Sequence, residues 1–220
     1  EFSGERLWTP PRPRPDRKAV ADAAALLKTA KKPLIIAGGG VRYSGAEESV
    51  AKFAAERGIP VVETIAGKGG LTHYHPVHAG PIGIVGSTSA NALAEEADVI
   101  LAIGTRLQDF TTGSWTAFSR DARFIAINAA RFDALKHRAL PVVCDALEGV
   151  AELDAALGAW KAPAGHLPQA KVLFKEWDAL LDDHQSPTNA PVPTYAQVVN
   201  VVNRAAGEHD TLISAAGGIP

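Results

Sequence analysis

Val20, Ala23, Ala24 and Leu27 recur at the i, i+3, i+4, i+7 spacing of one helical face, which predicts a helix from Asp16 onward. The period then changes. Pro33-Leu-Ile-Ile-Ala37 is a continuous apolar run that ends at Gly38-Gly39-Gly40, as expected of a strand buried on both faces of a parallel sheet. Ser44-Gly45-Ala46-Glu47 reads as a capping box for a helix with Val50, Phe53 and Ala54 inward and Gly58 as its stop, and strand returns over Ile59 to Thr64. Strand, glycine turn, helix and strand make a βαβ crossover of right-handed sense. The alternation continues with a helix over Ser89 to Ala97 and strands over Asp98 to Ile103, Arg123 to Ile127 and Leu140 to Cys144. Asp145 caps a helix carrying Val150, Leu153, Leu157 and Trp160 on one stripe. Five strands alternating with helices predict an α/β fold, a doubly wound parallel sheet of Rossmann-like type, over residues 16–160.

The flanking stretches are punctuated differently. Residues 1–15 interleave Pro10, Pro11, Pro13 and Pro15 with Arg12 and Arg14, which favours an extended linker. Residues 161–193 read as a linker holding one helix, Gln169 to Asp183, with Leu173, Trp177, Leu180 and Leu181 on one side. Thr194-Tyr-Ala-Gln197 caps a last helix, followed by a strand over Thr211 to Ala215 that runs into Ala216-Gly217-Gly218. Residues 194–220 are therefore expected to begin a further, incomplete α/β domain. The sequence has no Met, so residue 1 is not read as a translational start and the chain is expected to be a fragment or a processed product.

Composition narrows the function classes. Among the 220 residues 46% are hydrophobic and 21% charged, a globular mixture, and the net charge of −2 offers no field for nucleic acid or anionic lipid. No apolar run approaches the ~18–20 residues of a membrane span, Glu1 to Pro15 show neither the basic nor the apolar region of a signal peptide, and a single cysteine cannot form an internal disulfide. A cytoplasmic location follows as the expectation, without membrane or nucleic-acid partners.

Candidate chemistry belongs at the carboxyl ends of the strands. Gly38, Gly39 and Gly40 could admit a phosphate or could simply reverse the chain, since Tyr43 and Ala46-Glu47 break the dinucleotide and P-loop patterns. Thr105 and Arg106, after the strand ending at Ile103, could complete such a nucleotide crevice, or Arg106 could pair with Asp109. Glu63 stands where a ribose-binding acid would but reads as a solvated strand-end carboxylate. Lys68, in Ala66-Gly67-Lys68-Gly69-Gly70, either meets an anionic or carbonyl-bearing ligand or is a surface lysine. His73, His75 and His78 lie in a loop with no cysteine or paired carboxylate to complete a metal site. Cys144 reads as a core residue, and no nucleophile, base and orienting acid can be assembled.

Several segments together resemble the central domain of thiamine-diphosphate enzymes of the acetolactate synthase superfamily. These are Lys32 to Ala46, Pro60 to Thr64 with Ala66-Gly67-Lys68, Gly83 to Ser87 with Ala90-Asn91, Ile103 to Arg106 with Asp109-Phe110, and Ala126-Ile127-Asn128. Tyr43-Ser44-Gly45, Asp109-Phe110-Thr111 and the ending Ala215 to Pro220 are most similar to its trihydroxycyclohexanedione hydrolase branch of myo-inositol catabolism. The resemblance implies an intact homo-oligomeric enzyme that cleaves a carbon–carbon bond of a cyclic 1,2-dione using thiamine diphosphate and Mg²⁺. Pyrimidine-binding and diphosphate-binding domains of the longer chain would be its partners here. It places Lys68 near a substrate channel and Ala216, Gly217 and Gly218 near the cofactor diphosphate. The crevice near Gly38 and Arg106 is expected to be empty or weakly occupied, and this chain alone to bind no cofactor tightly and to be inactive.

Overall fold

A computed structural model of the chain describes residues 11–213. Six strands, β1 (Pro33–Ala37), β2 (Val61–Glu63), β3 (His78–Pro81), β4 (Val99–Ile103), β5 (Arg123–Asn128) and β6 (Leu140–Val143), form one sheet in the order β3-β2-β1-β4-β5-β6. Every pairing is parallel. This is the doubly wound arrangement that the alternating pattern predicts.

Successive strand residues serve two cores. Ile35, Ala37, Val61, Leu101, Ile103, Ile125 and Ile127 face one side, where α1 (Arg17–Lys28), α3 (Glu47–Arg57) and α7 (Ala146–Leu157) bring Leu27, Phe53 and Leu153 against them. Leu34, Ile36, Val62, Ile100, Ala102 and Ala126 face the other, covered by Ala90 and Leu93 of α4 (Thr88–Glu96) and by Ala170 and Leu173 of α8 (His166–Gln185). Each fully buried Leu or Ile contributes about 1.5–3 kcal/mol, so this double burial, rather than strand propensity, holds the sheet. The helix ends follow their caps. Asp16 accepts from Ala19 N, Ser87 from Ala90 N, and Asp145 from Leu147 N and Glu148 N, while Gly45 and Gly58 close α2 (Gly39–Ser44) and α3 in the left-handed conformation.

The structure departs from the sequence-based expectations in four places. The sheet has a sixth strand, β3, which takes in His78 from the expected loop, while His73 and His75 lie in the loop as the sequence predicts. His78-Ala-Gly-Pro81 carries no β-branched residue, and it is an edge strand, where a proline is tolerated. Ser44 does not cap α3, which starts after Ala46 without a side-chain cap. Its hydroxyl instead donates to Asp145 (2.8 Å) and accepts from Leu147 N (3.1 Å), fastening the end of α2 to the start of α7. The helix expected at Gln169 begins at His166, because Pro168 fits a first helical turn, where no amide partner is needed. Thr211 to Ile213 form no strand, having no neighbour to pair with among the described residues; Ser214 and Ala215 lie outside them.

Three arginines tie distant parts of the chain. Arg12, extended beside the first domain core, donates to Ser44 O (2.7 Å) and Asp145 Oδ1 (2.9 Å), and Arg14 reaches Glu148 (3.2 Å). Arg57, 8% exposed, holds Asp154 Oδ1 through Nε (2.8 Å) and Nη2 (2.6 Å), and its Nη1 donates to the carbonyls of Gly158 and Trp160.

Residues up to Phe174 and from Lys175 onward form two compact units. In the second, α9 (Tyr195–Ala205) opens with the reciprocal Thr194–Gln197 capping box that the sequence predicts. Among the described residues no helix is long and apolar enough to cross a membrane.

Replacing Arg57 with leucine removes the donor to three carbonyls, those of Asp154, Gly158 and Trp160, and to the Asp154 carboxylate at the α3–α7 junction. Urea denaturation is expected to give a loss of about 2–3 kcal/mol, against at most about 0.5 kcal/mol for E56Q on the exposed neighbouring position.

Candidate functional site

β1 and β4 lie side by side at the centre of the sheet, and the connections that follow them leave in opposite directions, which opens a crevice beyond Ala37 and Ile103. At its floor two backbones touch. Gly38 N donates to Ile103 O (2.9 Å) and Gly40 N to Gly104 O (2.9 Å). A Cβ on Gly38 would stand 2.5 Å from Gly104 O, and one on Gly40 2.6 Å from Gly104 Cα. Gly104 itself has φ +60°. The glycine run therefore serves a close backbone approach, and two amides that a phosphate cradle would use are already bonded.

Outward from this contact lies a cleft of about 670 Å³, lined by Tyr43, Thr64, Ile65, Thr105, Arg106 and Phe110 among others. The structure thus brings together Gly39, Gly40, Thr105 and Arg106, with Gly38 directly behind. Arg106 is exposed and does not pair with Asp109, which instead accepts from Ser114 Oγ (2.8 Å). Tyr43 on α2, Ile65 in the turn after β2 and Phe110 in the connection after β4 are exposed apolar groups on three different segments, a rim that no periodicity could have announced.

Lys68 follows a tightly held turn. The Thr64 hydroxyl accepts from Gly67 N (3.1 Å), opening a single 3₁₀ turn over Ile65–Gly67, and a Cβ on Gly67 would collide with the Ala37 carbonyl. Arg42 Nη1 donates to Lys68 O (3.3 Å). The Lys68 side chain itself is exposed and has no ion-pair partner among the described residues.

Glu63 is not the solvated acid that its position at a strand end suggests. It is 3% exposed; Oε1 accepts from Leu71 N (2.8 Å) and Oε2 lies 3.4 Å from His78 Nε2. Burial is possible because the loop that follows folds back over the carboxylate and supplies an amide and an imidazole to replace water. The opposite ring nitrogen of His78 lies 3.0 Å from His73 O, and His75 Nδ1 accepts from Val77 N (3.4 Å). His73 and His78 are thus joined to each other, with their rings 5.9 Å apart, while His75 serves its own turn, and among the described residues no group of His, Cys, Asp and Glu could hold a metal ion. Cys144 is buried, and that burial, with the charges of Asp145 and Glu148, pushes its thiol up to about 12.

A diphosphate with Mg²⁺ requires free amides or cations together with oxygen ligands for the metal. The crevice offers the cations Arg106 and Lys68, but the amides of Gly38 and Gly40 are bonded and no metal-holding group is present among the described residues, so these residues do not fit a diphosphate with its metal. Ala216, Gly217 and Gly218, expected to approach a diphosphate, lie outside the described residues.

Two outcomes follow. E63A leaves Leu71 N–H without its acceptor, so stability is expected to fall by about 1–3 kcal/mol, and amide exchange should quicken at Leu71 more than at the β4 amides. For Cys144, the folded thiol titrates near 12 against an ordinary 9.0, so the unfolded chain loses its proton first. Stability from this group is whole below pH 9 and declines as pH rises toward 12. Thiol labelling at pH 8 is expected to proceed only through unfolding, at the same rate as loss of the native signal.

Comparison with known proteins agrees with this geometry. The sequence pattern of the thiamine pyrophosphate enzyme central domain matches residues 20–153. The 3D-(3,5/4)-trihydroxycyclohexane-1,2-dione hydrolase of Geobacillus thermodenitrificans is 42% identical over 165 residues, 75% of this chain and 26% of that protein. The proteins of the same name from Clostridium tetani and Bacillus cereus are 38% identical over 182 residues and 32% over 244, covering 82% and 100% of this chain and 28% and 38% of theirs. The chain spans about a quarter to two-fifths of the length of these relatives. With the six-stranded doubly wound sheet and this match across most of its length, the chain belongs to the thiamine pyrophosphate enzyme family, as a central domain.

Proposed function

We propose that this chain supplies the central domain of a thiamine-diphosphate-dependent hydrolase that opens a trihydroxycyclohexane-1,2-dione by cleaving a carbon–carbon bond, a step of inositol catabolism. The observation that carries this reading is the 42% identity over 75% of the chain to a relative named for that reaction. Thiamine diphosphate, held with Mg²⁺ on other domains of a longer, cytoplasmic and homo-oligomeric protein, supplies the carbanion-stabilising chemistry. We assign Ala216, Gly217 and Gly218 to its diphosphate side.

The part played by the described residues is framing. The carbonyl end of β1 and the Glu63 carboxylate fix the turn that carries Lys68, so its ammonium projects from a rigid base with no competing ion-pair partner among the described residues. A mobile point charge with three donors suits a carbonyl or hydroxyl oxygen of a polyhydroxylated ring. The bonded amides of Gly38 and Gly40 weigh against nucleotide binding as the purpose of the crevice.

The test uses the full-length parent. It is expected to hydrolyse the dione and not to condense pyruvate, and K68A should lower kcat/KM by about tenfold or more, some 1.4 kcal/mol, with an unchanged melting temperature. Acetolactate formation without dione hydrolysis would overturn the proposal. The 220-residue chain alone is expected to give no calorimetric signal with thiamine diphosphate and Mg²⁺.

A further inference from the structure

A second cavity, of about 570 Å³, lies beside the starts of β5 and β6, at the end of the sheet opposite the crevice. Its floor is apolar. Trp115, Phe118 and Phe124 form an aromatic cluster with ring centroids 5.2–5.6 Å apart, and Leu26 and Leu140 complete it. Its rim is cationic. Arg120, Arg123 and Arg138 line it against a single carboxylate, Asp121. Arg123 Nη2 donates to Thr29 Oγ1 (2.7 Å), while Arg120 and Arg138 have no ion-pair partner among the described residues.

The backbone of this cavity is unusual in a way the fold does not require. Ser114 (φ +53°), Trp115 (+68°), His137 (+59°) and Arg138 (+58°) are left-handed without being glycine, as two consecutive pairs. Such positions are disfavoured for bulky side chains and persist only where the surroundings over-determine them. Here the two pairs meet: the Trp115 and His137 rings are in contact, 3.6 Å between centroids and tilted by 37°. Burial, with the neighbouring Lys136 ammonium, holds the His137 imidazole below its ordinary value, so at neutral pH the positive charge of the cavity is that of the guanidinium groups.

Planar guanidinium forks match carboxylate and phosphate oxygens, and a cavity of this size above an aromatic floor suits a small organic molecule. We propose that this cavity binds a small organic anion, its phosphate or carboxylate head held by Arg120, Arg123 and Arg138 and its ring-sized apolar body set on Trp115, Phe118 and Phe124.

Isothermal titration of the chain with phenyl phosphate, benzoate, inorganic phosphate and phenol tests both halves of the site. Saturable binding is expected for phenyl phosphate or benzoate, whichever head the guanidinium groups prefer, and about tenfold or more weaker binding for phosphate and phenol, which carry one half each. The exposed double variant R120Q/R138Q should weaken the organic anion by about tenfold or more at an unchanged melting temperature, while R106Q, in the other crevice, leaves it unchanged. Four results would each overturn the proposal. These are no saturable binding of either organic anion, inorganic phosphate binding as well as phenyl phosphate, affinity indifferent to R120Q/R138Q, and loss with R106Q instead.

Discussion

Everything at the carboxyl edge of this sheet depends on how closely backbone can approach the end of β1. Gly40 and Gly104 meet there without side chains between them, Gly67 lies against the Ala37 carbonyl, and Thr64 N donates to that same carbonyl (3.0 Å). Three loops therefore converge on one strand end at backbone contact distance. A methyl group at any of these glycines would push a loop outward and carry with it the side chain that the loop presents: Arg106 after Gly104, Lys68 after Gly67, Tyr43 beyond Gly40. The exposed groups are spaced by a contact between backbones, half-buried at Gly40 and Gly104 and buried at Gly67.

The fold was legible because both of its signals are local. Strands buried on two faces leave unbroken apolar runs, and helices covering them leave a 3.6-residue stripe; Pro33 to Ala37 and Val20 to Leu27 show each without interference. β3 was hidden because an edge strand needs neither signal. His78-Ala-Gly-Pro81 has only three buried residues, and its pairing is set by β2 rather than by its own side chains.

The candidate site was legible only in part. Gly38 to Gly40, Lys68, Thr105 and Arg106 could be placed at strand ends from order alone, and the structure gathers the glycines with Thr105 and Arg106 around one cleft. What those groups touch is a long-range matter. The burial of Glu63 depends on Leu71 and His78 folding back over it, and the grip of Arg57 depends on Asp154, 97 residues away. Neither partner lies at a spacing that helix or strand geometry would couple. The Ser44 hydroxyl shows the converse error, since a sequence-local capping pattern lost to a contact with Asp145 across 101 residues.

The fastening of the proline-rich stretch has a graded character. Arg12 spreads one guanidinium over a carbonyl, a hydroxyl and a carboxylate, and Pro13 adds its carbonyl to the Asp145 amide, so ionic strength reaches only one of these bonds. Arg14 rests on one exposed ion pair. Rising salt therefore loosens the tether from the side nearer α1 while the clasp at Arg12 stays shut. Between that clasp and Asp16, whose carboxylate caps α1, salt reaches only the Arg14 contact, and the junction of α2 and α7 stays intact.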